Sequence, residues 1–162
     1  MMPDLEKRRY ALHPGALAAF VLGTLAASAL GRFLGGNSSF EGLAKPPLTP
    51  PGWVFPVVWA ILYIAMGVAA YLIWNTKDPA TPAALRAYYW QLGVNVLWTF
   101  FFFRLQWRLF AFFWLLLLIA LVSWTMKKFR PINQAAYWLM LPYLLWILFA
   151  AYLNLGFYLN NL

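Results

Sequence analysis

The chain has no cysteine, a single histidine and only four acidic residues among 162. Without cysteine there is no disulfide, no thiolate nucleophile and no thiolate metal site. The histidine, His13, stands at the very start of the first apolar run. The acids Asp4, Glu6, Glu41 and Asp78 all fall outside the apolar runs. No two carboxylates can meet at one buried site, and no charge sits at the middle of a run to mark an ion or proton path. Metal-assisted hydrolysis, triad chemistry and proton-coupled transport therefore lack their residues, and no metal site is expected.

Charge of either sign is scarce. Asp, Glu, Lys and Arg make up 10% of the chain and hydrophobic residues 64%, whereas soluble domains carry about 25% charge. Such a composition cannot cover a water-facing surface. The polar residues cluster in short stretches between long apolar runs, the pattern of a multi-pass membrane protein that is nearly all membrane domain. The net charge of +8 does not point to nucleic acid, because the bases sit at the ends of apolar runs, where anchoring and topology account for them.

The pattern predicts an all-α membrane bundle over residues 1–162, a single domain with five spans at residues 14–34, 53–74, 84–103, 109–126 and 133–159. Lys7, Arg8 and Arg9 precede the first run as in a signal peptide, but that run is long enough to span, so a retained helix is expected. Five spans put the termini on opposite sides. Lys7, Arg8, Arg9, Lys77, Arg86, Lys127, Lys128 and Arg130 fall on one side; Arg32, Lys45, Arg104 and Arg108 fall on the other. The imbalance favours a cytoplasmic N-terminus. Within the first run Gly15, Ala19, Gly23, Ala27 and Gly31 recur every fourth residue, a small-residue face that another helix, of this chain or a second copy, can approach closely.

What is abundant is aromatic. Residues 45–63 read K-P-P-L-T-P-P-G-W-V-F-P-V-V-W-A-I-L-Y. Pro46, Pro47, Pro50 and Pro51 make the loop before the second span stiff and non-helical. Phe55, Trp59, Tyr63 and Gly67 then recur every fourth residue on one helical face. The third span carries Gln91, Asn95 and Trp98 on one face; the fifth carries Pro142, Trp146, Ala150 and Asn154. Most membrane tryptophans belong to the interfacial belt, which accounts for Trp53, Trp74, Trp90, Trp107, Trp124 and Trp138. Trp59, Trp98 and Trp146 sit deeper, roughly 8–20 Å from the nearest span end at the helical rise. Asn95 and Asn154, taken singly, read as interhelical hydrogen bonds. Beside three aromatic stripes they read as walls of a cavity under the proline-rich lid, suited to a large, flat, mostly apolar ligand.

In these motifs the chain resembles the translocator protein family, also called TspO or tryptophan-rich sensory proteins, in its bacterial form. The likeness rests on residues 45–63, A-M-G at 65–67, Q-L-G-V-N-V-L-W at 91–98 and P-Y-L-L-W-I-L-F-A-A-Y-L-N at 142–154, and it covers nearly the whole chain. The resemblance implies a five-helix bundle, commonly a homodimer, with a ligand cavity beneath the first long loop. Family ligands include protoporphyrin IX, haem, and isoquinoline and benzodiazepine drugs, with cholesterol in animal members. Carried over, the ligand-binding residues are Trp59, Tyr63, Asn95, Trp98, Trp146 and Ala150. Some bacterial members are reported to degrade protoporphyrin in light and oxygen, which implicates Trp59 and Trp146 as the catalytic pair and leaves enzyme status open.

The resemblance thus implies a tetrapyrrole-binding sensor or regulator. A transporter of porphyrins or sterol-like lipids and a membrane assembly protein stand as alternatives. No cofactor is required on this reading, porphyrin being the ligand. With His13 near the surface, no axial histidine on a bound haem is expected, leaving methionine or tyrosine. Two departures stand out. Tyr152 and Tyr158 are followed by no base, so the sterol motif of animal members is incomplete. Leu48 replaces the tryptophan that some animal members carry after the loop prolines.

Overall fold

In the computed structural model, which describes residues 11–37 and 40–162, every regular element is helical. The helices are α1 (Pro14–Gly35), α2 (Val54–Thr76), α3 (Thr81–Thr99), α4 (Arg108–Phe129) and α5 (Gln134–Leu159), with a π-helical turn at Phe100–Arg104 closing α3. The basic triplet Lys7, Arg8 and Arg9 and the acids Asp4 and Glu6 lie outside the described residues.

The boundaries have local causes. Pro14 occupies the first turn of α1, where its missing N–H is no loss. Gly36 ends that helix at φ 71° and ψ −158°, a conformation essentially confined to glycine. Lys77 ends α2 in the left-handed region. At the start of α5 the Asn133 side chain accepts the Ala136 N–H at 3.0 Å, the usual service of an N-cap amide. The expected third span, 84–103, differs most from the structure. Its helix begins at Thr81, and regular α geometry stops at Thr99. Beyond that, the Leu105 N–H reaches back to the Phe100 carbonyl at 3.0 Å, a five-residue spacing that widens the turn.

Four helices, α1, α2, α4 and α5, are long and apolar enough to cross a membrane. The sequence led us to expect five such segments. The remaining helix, α3, falls short because it carries Arg86, Gln91 and Asn95. Its two amides are turned inward, with Gln91 0% and Asn95 1% exposed, while Arg86 is exposed.

The helices close a ring in the order α1, α2, α5, α4, α3 and back to α1. Lipid tails are as apolar as leucine, so close packing and hydrogen bonds must hold such a ring together. α1 and α2 cross closely at Gly67. A Cβ there would lie 2.7 Å from Val21 Cα and 2.8 Å from Thr24 Oγ1. The Thr24 hydroxyl donates to the Tyr63 carbonyl at 2.8 Å across the same crossing.

The small-residue stripe on α1 is only partly used within the chain. Gly31 and Gly35 pack on Thr99, whose hydroxyl donates to the Gly31 carbonyl at 2.7 Å. Among the described residues Gly15 and Gly23 face nothing within 4 Å, and Ala19 and Gly23 border a groove beside Tyr88, Tyr89 and Leu92.

Candidate functional site

One side of the ring is hollow. Between α1, α2, α3 and α5 lies a cavity of about 1040 Å³, and α4 contributes nothing to its wall. Trp59, Tyr63, Asn95, Trp98, Trp146 and Ala150 all line it. The six residues selected from sequence therefore meet in one place.

Each is positioned by its helix register. On α2, Phe55, Trp59 and Tyr63 descend one face. The Trp59 ring lies 5.7 Å from Tyr63 and 6.3 Å from Tyr143. Gly67, the next member of that stripe, leaves the cavity and serves the α1 crossing instead. On α5, Trp146, Ala150 and Asn154 follow at the helical repeat. Phe55 reaches Trp146 at 5.9 Å, so aromatic rings join the two helices. Pro142, expected on the same face, is exposed and absent from the wall. At the end of α3, Trp98 stacks on Phe102 at 5.2 Å and meets Phe103 at 6.0 Å. The π turn brings Phe102, Phe103 and Arg104 into the wall as well.

The amides do both jobs the sequence suggested. The Tyr63 hydroxyl donates to Asn95 Oδ1 at 3.1 Å, Asn95 Nδ2 donates to the Tyr143 hydroxyl at 2.6 Å, and that hydroxyl donates to Gln91 Oε1 at 2.9 Å. This buried chain ties α2, α3 and α5 together beneath Trp59. Nearer the loop end, Trp98 Nε1 donates to Asn154 Oδ1 at 3.1 Å, and Asn154 Nδ2 donates to the Arg108 carbonyl at 2.7 Å. Asn95 and Asn154 are thus interhelical bonds and cavity wall at once. Gln91 belongs to the bond network alone.

Trp146 differs from the other deep tryptophans. Its Nε1 is buried with no hydrogen-bond partner among the described residues, a state that costs about 1–3 kcal/mol. The atom has no accessible surface, so an acceptor on a molecule in the cavity reaches it only if the indole ring turns. Among the described residues no group of three or more His, Cys, Asp or Glu could hold a metal.

The proline-rich stretch is fixed but does not itself touch the cavity. Pro46 packs into the gap left by Gly156; the Tyr152 hydroxyl donates to the Pro47 carbonyl at 2.9 Å. Asn161 clasps the Ala44 backbone, accepting from its N–H at 2.9 Å and donating to its carbonyl at 3.0 Å. Among the described residues of the loop, Gly36, Asn37 and Phe40 line the cavity, the last with its ring 5.1 Å from Phe55 and 5.4 Å from Phe157. The prolines act as a brace against α5, and Phe40 is the covering side chain.

Sequence reasoning missed Tyr143, the centre of the polar chain, and Trp114, whose Nε1 donates to the Val94 carbonyl at 2.7 Å. Tyr143 stands three residues before Trp146 on the helix, a spacing that marks a shared side. Of the six belt assignments, Trp53, Trp90, Trp107, Trp124 and Trp138 present large outer surfaces, whereas Trp74 is half-buried against His13, Phe20 and Tyr71 with Lys77 Nζ 3.7 Å from its ring.

These features define a multi-pass α-helical membrane protein with an aromatic-walled cavity inside its ring. The match to the TspO/MBR family model spans residues 16–159, and the chain belongs to that family. It is 35% identical over 148 residues to the tryptophan-rich protein TspO of Archaeoglobus fulgidus, covering 90% of this chain and 96% of that one. It is 34% identical over 143 residues to the human translocator protein, covering 82% and 85%. It is 31% identical over 139 residues to protein CrtK of Rhodobacter capsulatus, covering 85% and 87%.

Proposed function

We propose that the protein binds a tetrapyrrole, such as protoporphyrin IX or haem, within the membrane and acts as a sensor or regulator of it. The observation that carries this reading is the cavity of about 1040 Å³ that three tryptophans, Trp59, Trp98 and Trp146, line. Ordinary ligand pockets span about 300–1,000 Å³, so this one is scaled for a large ligand. Indoles offer stacking faces to a flat ring. Trp59, Tyr63, Asn95, Trp98, Trp146 and Ala150 are its contact residues on this reading, with porphyrin as ligand and no resident cofactor.

In the same reading α3 also crosses the bilayer. Its amides Gln91 and Asn95 are then shielded by the other helices, and the N-terminus is cytoplasmic. A second copy covers the open end of the α1 stripe to make a homodimer. Replacing Gly23 and Ala27 with leucine then disrupts the dimer while leaving ligand binding to the monomer intact. Degradation of porphyrin under light and oxygen, with Trp59 and Trp146 nearest the ring, is an added activity rather than a requirement. Passage of the ligand, to which the name translocator protein of several relatives points, is the alternative use of the cavity.

The test is quenching of tryptophan fluorescence by protoporphyrin IX in detergent, dark and illuminated, for wild type, Trp59→Phe and Trp146→Phe. Saturable quenching at low micromolar ligand that weakens in both variants supports the reading. Loss of porphyrin absorbance under light in the wild type alone adds the degradative activity. Absence of saturable quenching rejects the pocket.

A further inference from the structure

Two arginines from different elements stand at the same end of the cavity. Arg32 lies in the last turn of α1, and Arg104 is the final residue of the π turn; both line the cavity and both are exposed. Gly36 brings the two segments together. Its N–H bonds to the Arg32 carbonyl at 3.2 Å, and a Cβ on it would lie 3.6 Å from Arg104 Nη1 and 3.8 Å from Arg104 Cδ. The π turn and the glycine-only conformation of Gly36 are local irregularities at this end of the bundle, and Gly36 lies against the Arg32 backbone on one side and beside the Arg104 side chain on the other. Among the described residues the cavity wall contains no carboxylate.

Two like charges beside an apolar, low-dielectric space repel each other and gain most from a shared anion. A guanidinium presents a planar fork that matches a carboxylate bidentately. We propose that Arg32 and Arg104 form an anion clamp at the open end of the cavity, selecting ligands that join a flat apolar body to one or two carboxylates on one edge. The body lies among the indoles and the acid edge reaches the guanidiniums. This rests on the ligand-binding reading of the cavity and adds its polarity and orientation. The competing source of anion is the phosphate of a lipid headgroup, toward which surface arginines commonly extend.

The experiment compares protoporphyrin IX with its dimethyl ester by fluorescence quenching in phosphatidylcholine nanodiscs, for wild type and the Arg32→Gln, Arg104→Gln double variant. The wild type is expected to bind the acid at least about tenfold tighter than the ester, the scale of one charge-assisted contact. The double variant should bring that ratio to near one with ester affinity unchanged. Equal binding of acid and ester by the wild type, a comparison that needs no variant, overturns the clamp and leaves the cavity reading intact. An acid preference that survives in the double variant also overturns it. Binding of neither compound overturns the clamp and the cavity reading together. Repeating the comparison in phosphatidylglycerol nanodiscs, with each affinity corrected for the porphyrin's partition into protein-free discs of the same lipid, separates the two anion sources. A retained acid preference supports ligand carboxylates, and its abolition assigns the guanidiniums to lipid phosphate and overturns the proposal.

Discussion

Pro46 sits where a side chain on Gly156 would be: a Cβ added to Gly156 would lie 2.5 Å from Pro46 Cβ and 2.9 Å from its Cγ. This contact, far apart in sequence, sets the loop between α1 and α2 against the end of α5. Gly156→Val should push the loop away and break the bonds from Tyr152 to Pro47 and from Asn161 to Ala44. Overpacking of this kind costs about 1–3 kcal/mol, and limited proteolysis should cut faster within residues 40–53. Gly93→Ala is the control. Nothing lies within 4 Å of a Cβ there, and alanine in a helix gains about 0.5–1 kcal/mol over glycine.

The α1–α2 crossing depends on Gly67 in the same way, with less room to yield. The atoms that a Cβ would meet include Val21 Cα at 2.7 Å and the Phe20 carbonyl oxygen at 3.0 Å. Backbone cannot rotate aside as a side chain can. Gly67→Val should separate the helices, break the Thr24 bond to Tyr63 and lower the melting temperature in detergent more than Gly156→Val does.

Tyr143→Phe removes the middle of the buried chain and strands Asn95 Nδ2 and Gln91 Oε1. An unpaired buried group costs about 1–3 kcal/mol, although bonds between membrane helices average about 0.6 kcal/mol by double-mutant cycles. Unfolding by sodium dodecyl sulfate should show a loss in that range. Adding Gln91→Leu to Tyr143→Phe should cost less than the sum of the single changes, because both partners of one bond are then gone.

Trp98 and Trp146 separate stability from binding. The Trp98 N–H is bonded to Asn154, whereas that of Trp146 has no partner. Trp98→Phe should lower both the melting temperature and porphyrin affinity. Trp146→Phe should weaken porphyrin binding by about tenfold, the value of one good contact, with little change in melting. Equal destabilisation by the two would remove the special role of the free indole N–H.

Gln106 holds φ 56° in the turn between the π segment and α4. A side chain in that region costs about 1–2 kcal/mol relative to the right-handed one. Gln106→Gly should raise the unfolding free energy by about 0.5–1 kcal/mol, read from the same denaturation curves.

Much of the molecule was legible in the chain itself. Apolar runs and their flanking bases located the helices because a bilayer imposes length and composition on any segment within it. The four-residue repeats picked out Trp59, Tyr63, Asn95, Trp98, Trp146 and Ala150 because side chains four apart share a helical face whatever lies opposite. The limit of that logic shows in Gly67 and Pro142. Both fit the register of a cavity face, yet one is spent on a helix crossing and the other points outward. Periodicity fixes a face only within its own helix, and a long helix turns its ends toward different neighbours.

What the sequence alone determined was a membrane bundle with small, aromatic and amide stripes. Local chemistry suffices for that, since each stripe is a property of one helix. Only the tertiary structure decided which stripes meet. It left α4 outside the cavity, set the prolines against α5 as a brace, put Tyr143 between Asn95 and Gln91, and used a π turn and Gly36 to bring Arg32 and Arg104 to one end. Those outcomes depend on the order of helices around the ring and on close approaches between residues distant in the chain. Neither is written in the period of any single segment.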